Sequence, residues 1–107
     1  MPKSIQIAYT VPNGSYAQNQ TWFATPKLID DLGKFRINIA ITTQSVVEYT
    51  VDNLNWIKIN NGFALKPSCS YGFDIYVRAG DKLNLRSPTE GSTNVILCRL
   101  DSIKDEG

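Results

Sequence analysis

Apolar residues recur at every second position through most of the chain. Ile5, Ile7, Tyr9 and Val11 alternate with polar neighbours. Phe35, Ile37, Ile39 and Ile41 do so again, with Arg36, Asn38 and Thr42 on the opposite side. Val47, Tyr49 and Val51 follow, then Ile57 with Ile59, and Phe63 with Leu65. The longest later set is Tyr71, Phe73, Ile75 and Val77; Leu83 and Leu85 continue it, and residues 95–100 are nearly continuously apolar. Period two is what a half-buried strand requires, because successive side chains point to opposite faces of a sheet.

Turn chemistry punctuates these runs. Residues 12–15 (PNGS) end the first. Residues 60–62 (NNG) predict a tight hairpin turn between two short strands, since asparagine and glycine tolerate positive φ. Residues 79–81 (AGD) predict a second hairpin by dividing the stretch 71–87 into two arms, and residues 87–92 a loop before the last strand. About eight short strands at regular spacing are the pattern of a sandwich or a barrel. Only residues 25–33 (TPKLIDDLG) have helix punctuation, with proline at the first helical position and glycine past the end. A short helix or an irregular loop is expected there.

Composition narrows the classes. The chain has 107 residues, 42% of them hydrophobic and 20% charged, which fits one soluble domain spanning residues 1–107 with a modest core. A formal net charge of +1, with bases and acids interleaved, leaves no electrostatic footprint for nucleic acid and no basic run for a membrane surface. The first ten residues lack the continuous apolar core of a secretory signal. The charged end, residues 102–107, is expected to fray.

Catalytic chemistry finds little support. The chain contains no histidine, which removes the Ser-His-Asp and Cys-His arrangements. Two cysteines, Cys69 and Cys98, have no metal-ligand spacing and are too few for a disulfide framework; no bond between them is expected. No catalytic residue, cofactor or metal site is therefore assigned. The charges in residues 71–87 (YGFDIYVRAGDKLNLRS) pose the sharpest question. Tyr71, Phe73, Ile75 and Val77 share one phase; Asp74, Tyr76 and Arg78 share the other. The phase makes these charges the wet face of a sheet, where they pin the register. Asp81, beside Gly80, is expected to serve the turn through its side-chain oxygen.

Binding residues are better candidates. Trp56 is out of phase with Ile57 and Ile59, so it is expected to face outward with Lys58. Trp22, in QTWFATP, and Tyr16, in NGSYAQNQ, are candidates for the same kind of exposed aromatic surface, as is Tyr76. Amides and hydroxyls are dense over residues 13–21 and 42–61. Such surfaces suit sugar recognition or a polar protein interface.

From residue 35 to residue 101 the layout resembles that of small all-β virion proteins of tailed bacteriophages, the head decoration and auxiliary capsid type. The stretches that carry the resemblance are SVVEYTVDN, NWIKINNG, YGFDIYVRAGDKLNLR and VILCRLD. It implies an antiparallel, jelly-roll-like β-sandwich without enzymatic activity. It also implies a protein that is made in the host cytoplasm and sits on the virion, where it binds coat protein or itself, often as a trimer, and reinforces the lattice. Residues 1–20 would then be a candidate for an extended arm reaching onto that lattice. The competing expectation is a carbohydrate-binding β-sandwich module that takes a surface glycan.

Overall fold

The computed structural model describes residues 3–30 and 33–105. Among these, nine strands form two antiparallel sheets packed face to face, a β-sandwich. In chain order they are β1 (Lys3–Thr10), β2 (Gly14–Tyr16), β3 (Lys27–Leu28), β4 (Gly33–Ile41), β5 (Glu48–Thr50), β6 (Ile57–Lys58), β7 (Tyr71–Val77), β8 (Lys82–Arg86) and β9 (Thr93–Asp105). One sheet has the order β1-β9-β4-β7, with β2 pairing the start of β9 in line with β1; the other has the order β3-β8-β5-β6.

Alternation decides which side chains meet between the sheets. Ile37, Ile39 and Ile41 of β4, Cys98 and Leu100 of β9, and Ile75 and Val77 of β7 turn inward from the first sheet and are almost wholly buried. They meet Leu83 and Leu85 of β8, together with Val47, Ile59 and Leu65. Tyr9 packs edge-on against Phe23 and Phe35, with ring centroids 6.2 and 6.1 Å apart. Edge-on aromatic contacts add roughly 0.5–1.5 kcal/mol each beyond area burial.

Several expectations need correction. The run 71–86 is not a hairpin: β7 belongs to the first sheet and β8 to the second. Leu83, Asn84 and Leu85 are buried in succession, so β8 must be covered on both faces, as an interior strand is. It pairs with β3 and β5 instead. The AGD turn still forms, with Gly80 at φ +92° and the Asp81 carboxylate accepting the Arg78 N–H at 2.8 Å, but it crosses from one sheet to the other.

The NNG turn has the expected positive φ at Asn60, Asn61 and Gly62. It closes no hairpin, because β6 pairs with β5 and Leu65 bridges to Ser45. Residues 25–30 hold no helix. Lys27 and Leu28 pair with β8, and Ile29, 3% exposed, exchanges backbone hydrogen bonds with the AGD turn. Burying Ile29 while leaving Leu28 in water needs an extended chain, and a strand gives that where one helical face would not. Asp31 and Leu32 lie outside the described residues.

The two ends behave alike. Residues 3–10 pair with β9 from Lys3↔Asp105 to Thr10↔Arg99, so they are a strand of the sheet where a free arm was expected. The same pairing holds residues 102–105, which were expected to fray. Of that tail, residues 106 and 107 lie outside the description.

Candidate functional site

The segment between β2 and β3 builds the most site-like feature. It runs antiparallel along β8 as an irregular edge. Asn19 N–H bonds to Ser87 O, Trp22 N–H to Leu85 O, and Lys27 pairs with Leu83. Pro26 offers no N–H, so a regular ladder cannot continue through it. Asn84 fills the gap from the side. Its Oδ1 accepts the Phe23 N–H at 3.0 Å and its Nδ2 donates to Phe23 O at 3.0 Å, mimicking one rung of a sheet. Asn84 is 1% exposed because this segment covers it.

The consequence is an open cleft of about 520 Å³ between this edge and the end of β1. Tyr16, Trp22, Phe23 and Lys27 line it, with Gln20 and threonines 10, 21 and 25. The Tyr16 and Trp22 rings stand 5.7 Å apart, tilted by 34°. The Tyr16 hydroxyl donates to Pro12 O at 2.5 Å, and burial pushes its phenol up from the ordinary value. Lys27 Nζ lies 5.2 Å from the Phe23 ring centroid and 5.7 Å from that of Tyr9. Trp22 is buried to 2% exposure, and its indole N–H has no acceptor among the described residues. The expectation of an exposed Trp22 is thus corrected: it is a core residue with one edge on a cleft.

Trp56 and Lys58 meet a different group, on the outer face of the second sheet. Register sets Glu48 between Lys58 and Arg86. The Glu48 carboxylate, nearly buried, pairs with Arg86 at 2.9 Å and Lys58 at 3.2 Å. The Arg86 guanidinium stacks over the Trp56 ring at 4.1 Å. Both candidates do face outward, but Trp56 is only half-exposed, and both are committed to this ion-pair network. Ile57, expected inward, is 48% exposed, because β6 is an edge strand only two residues long.

Tyr76 lies on the outer face of the first sheet, 78% exposed. Register lays that face out in rows. Ile5, Ile103, Lys34 and Tyr76 make one; Ile7, Asp101, Arg36 and Asp74 make the next. Asp74 bonds Arg36 at 2.9 Å and pairs with Lys34 at 3.3 Å; the Arg36 hydrogen bond, chiefly, holds its carboxyl below the usual range. Exposed pairs of this kind are worth roughly 0–1 kcal/mol. Asp101, 4% exposed, accepts from Asn38 at 2.8 Å and lies 3.1 Å from Arg99 Nε, an ion pair whose angle is too poor for a hydrogen bond. These charges are spent on each other, as a register-pinning face should be.

The same face ends in β1, which lies within the expected arm at residues 1–20, although Ile5 and Ile7 were not singled out as binding residues. Ile5 and Ile7 are 58% and 62% exposed. Their alternation was visible, but alternation alone does not tell a core face from an open one. Among the described residues, no group of three or more His, Cys, Asp or Glu side chains is placed to hold a metal ion. No protein-family model matches the chain, and no curated protein or solved structure matches it either.

Proposed function

We propose that this protein is a non-enzymatic assembly component, of the auxiliary kind found on bacteriophage virions, that joins a second copy of itself through β1. The strand orders support an assignment finer than a sandwich. We read β2-β9-β4-β7 facing β3-β8-β5-β6 as a jelly-roll connectivity, the architecture of viral capsid and lectin domains. A fold shared by both leaves the choice to the surface.

The observation that carries the reading is the β1 edge. It is a ninth strand added outside the eight of the jelly roll, and its outer side has no partner among the described residues. Residues 4–10 contain no charge, whereas the other long edge, β7, carries Asp74. A long, uncharged, apolar edge is a template for strand pairing. In an antiparallel β1–β1 joint with Ile5 opposite Ile7 of the second copy, both isoleucines of each chain meet across the twofold. Sheets of two copies become one, and Tyr76 flanks the apolar rows on the same face. This joint makes a dimer the building unit, where the virion resemblance implies a trimer.

Light scattering on a sizing column over a dilution series tests the reading. The wild-type chain is expected to run as a dimer at micromolar concentration and Ile7→Lys as a folded monomer. A wild-type monomer throughout would overturn the proposal.

A further inference from the structure

The cleft beside β3 does no work in that assembly, and its chemistry points elsewhere. Its volume of about 520 Å³ lies within the ~300–1,000 Å³ of small-ligand sites. Its aromatic surface is the half-buried Tyr16 ring with narrow edges of Trp22 and Phe23, 2% and 4% exposed, beside hydroxyl and amide groups from Gln20 and Thr21. That mixture suits a sugar, whose C–H faces stack on rings while its hydroxyls seek amides. Among the described residues Lys27 is the single charged one of the lining. It has no ion-pair partner among the described residues, and its ammonium is held over two rings. Among the described residues no carboxylate lines the cleft, so an anionic group entering it meets the Lys27 cation.

Two further features mark a receptive wall. Gln20 already spends its Oε1 on the Ala17 N–H, 2.8 Å, which fixes the amide and leaves its Nε2 hydrogens to donate. The Trp22 ring backs Tyr16 at 5.7 Å, so its indole signal reports on this wall, while its own buried N–H is out of a ligand's reach. The Asn84 clamp on Phe23 holds this wall in place before any ligand binds.

We infer that the cleft formed by Tyr16, Gln20, Thr21 and Lys27 binds an acidic saccharide, the sugar ring against the Tyr16 ring and its carboxylate on the Lys27 ammonium. The site is independent of the β1 joint, so a monomeric protein could still bind sugar and a dimer could fail to.

The test follows the two indole N–H signals by NMR, with Trp56→Phe assigning the Trp22 signal, during titration with sialyllactose, lactose and sodium acetate. Sialyllactose is expected to shift the Trp22 signal saturably, with lactose at least tenfold weaker and acetate without effect. Lys27→Gln should weaken sialyllactose by about tenfold or more, the size of a lost charge-assisted hydrogen bond, and leave lactose unchanged. Added salt should weaken sialyllactose binding to the wild-type chain, a readout that stands even if the variant does not fold. A flat Trp22 signal with sialyllactose, or affinity unchanged by both Lys27→Gln and salt, would overturn the inference. Equal binding of lactose would overturn its acidic part, and equal binding of acetate its saccharide part.

Discussion

Replacing Asn84 by alanine removes the one side chain that stands in for a missing rung of the sheet. Asn84 lies mid-β8, 1% exposed, and exchanges two hydrogen bonds of 3.0 Å with the Phe23 backbone. The variant leaves the Phe23 N–H and C=O without those partners beside a residue only 4% exposed, where water has little access. Each buried orphan costs roughly 1–3 kcal/mol, so two cost about 3 kcal/mol. With ~1–3 kcal/mol per molar urea as the slope for a small domain, the midpoint should fall by about 1–3 M. Protein concentration must be held constant, because dimerisation stabilises the folded state. Asn94→Ala is the control. Asn94 also hydrogen-bonds through its amide, to Thr42 at 2.8 Å, but at the surface, where water replaces the lost partner. Its cost should stay within about 0.5 kcal/mol. If Asn84→Ala proves no more harmful than Asn94→Ala, the clamp is not what orders this edge, and the preformed cleft loses its support.

Thiol chemistry separates the two cysteines: Cys69 is exposed, while burial pushes the Cys98 thiol up to about 12. Iodoacetamide should therefore label one cysteine per native chain, identified by mass mapping as Cys69, and both after unfolding. Rapid native labelling of Cys98 would contradict its inward position on β9. The Asp52 carboxylate accepts hydrogen bonds first from the backbone and side chain of Asn55, then from the backbone of Leu54 and from Thr50, and these hold its pKa well below the usual carboxylate range. A depressed folded pKa stabilises above the unfolded value and loses that contribution as the pH falls toward the folded one. Asp52→Ala should thus lower the urea midpoint at neutral pH, and the gap to wild type should close in strong acid; a gap independent of pH would refute the assignment.

How far the sequence reached depended on the kind of information each element needed. β4 and β7 were legible because alternation is a local signal, and Phe35, Ile37, Ile75 and Val77 lie where their phase puts them. Pairing is not local. The AGD turn looks like a hairpin whether its arms share a sheet or face each other across the core. Leu83-Asn84-Leu85 alternates like any half-buried strand, so the covering of β8 on both sides, which buries Asn84, left no local signal. The 17–28 segment was least legible, since its course is set by Asn84, some sixty residues away in sequence. The residues of the cleft were therefore only partly found. Tyr16 and Trp22 were singled out as aromatics, while Lys27 was placed in a short helix or irregular loop and given no binding role. Trp56 and Lys58 were placed on the correct side, but their capture by Glu48 depends on strand register.

β9 is 13 residues long and pairs with β1, β2 and β4. It follows the other eight described strands off the ribosome, so the first sheet cannot close until nearly all of residues 3–105 have been made. At ~5–20 residues per second, β1 waits roughly 4–17 s for its partner. During that interval its uncharged, isoleucine-bearing backbone is unpaired on both sides, and neighbouring nascent chains on one polysome display the same strand. The order of synthesis thus sets a period in which premature strand exchange between chains competes with folding, and a holdase chaperone able to cover an extended apolar segment would act in that window.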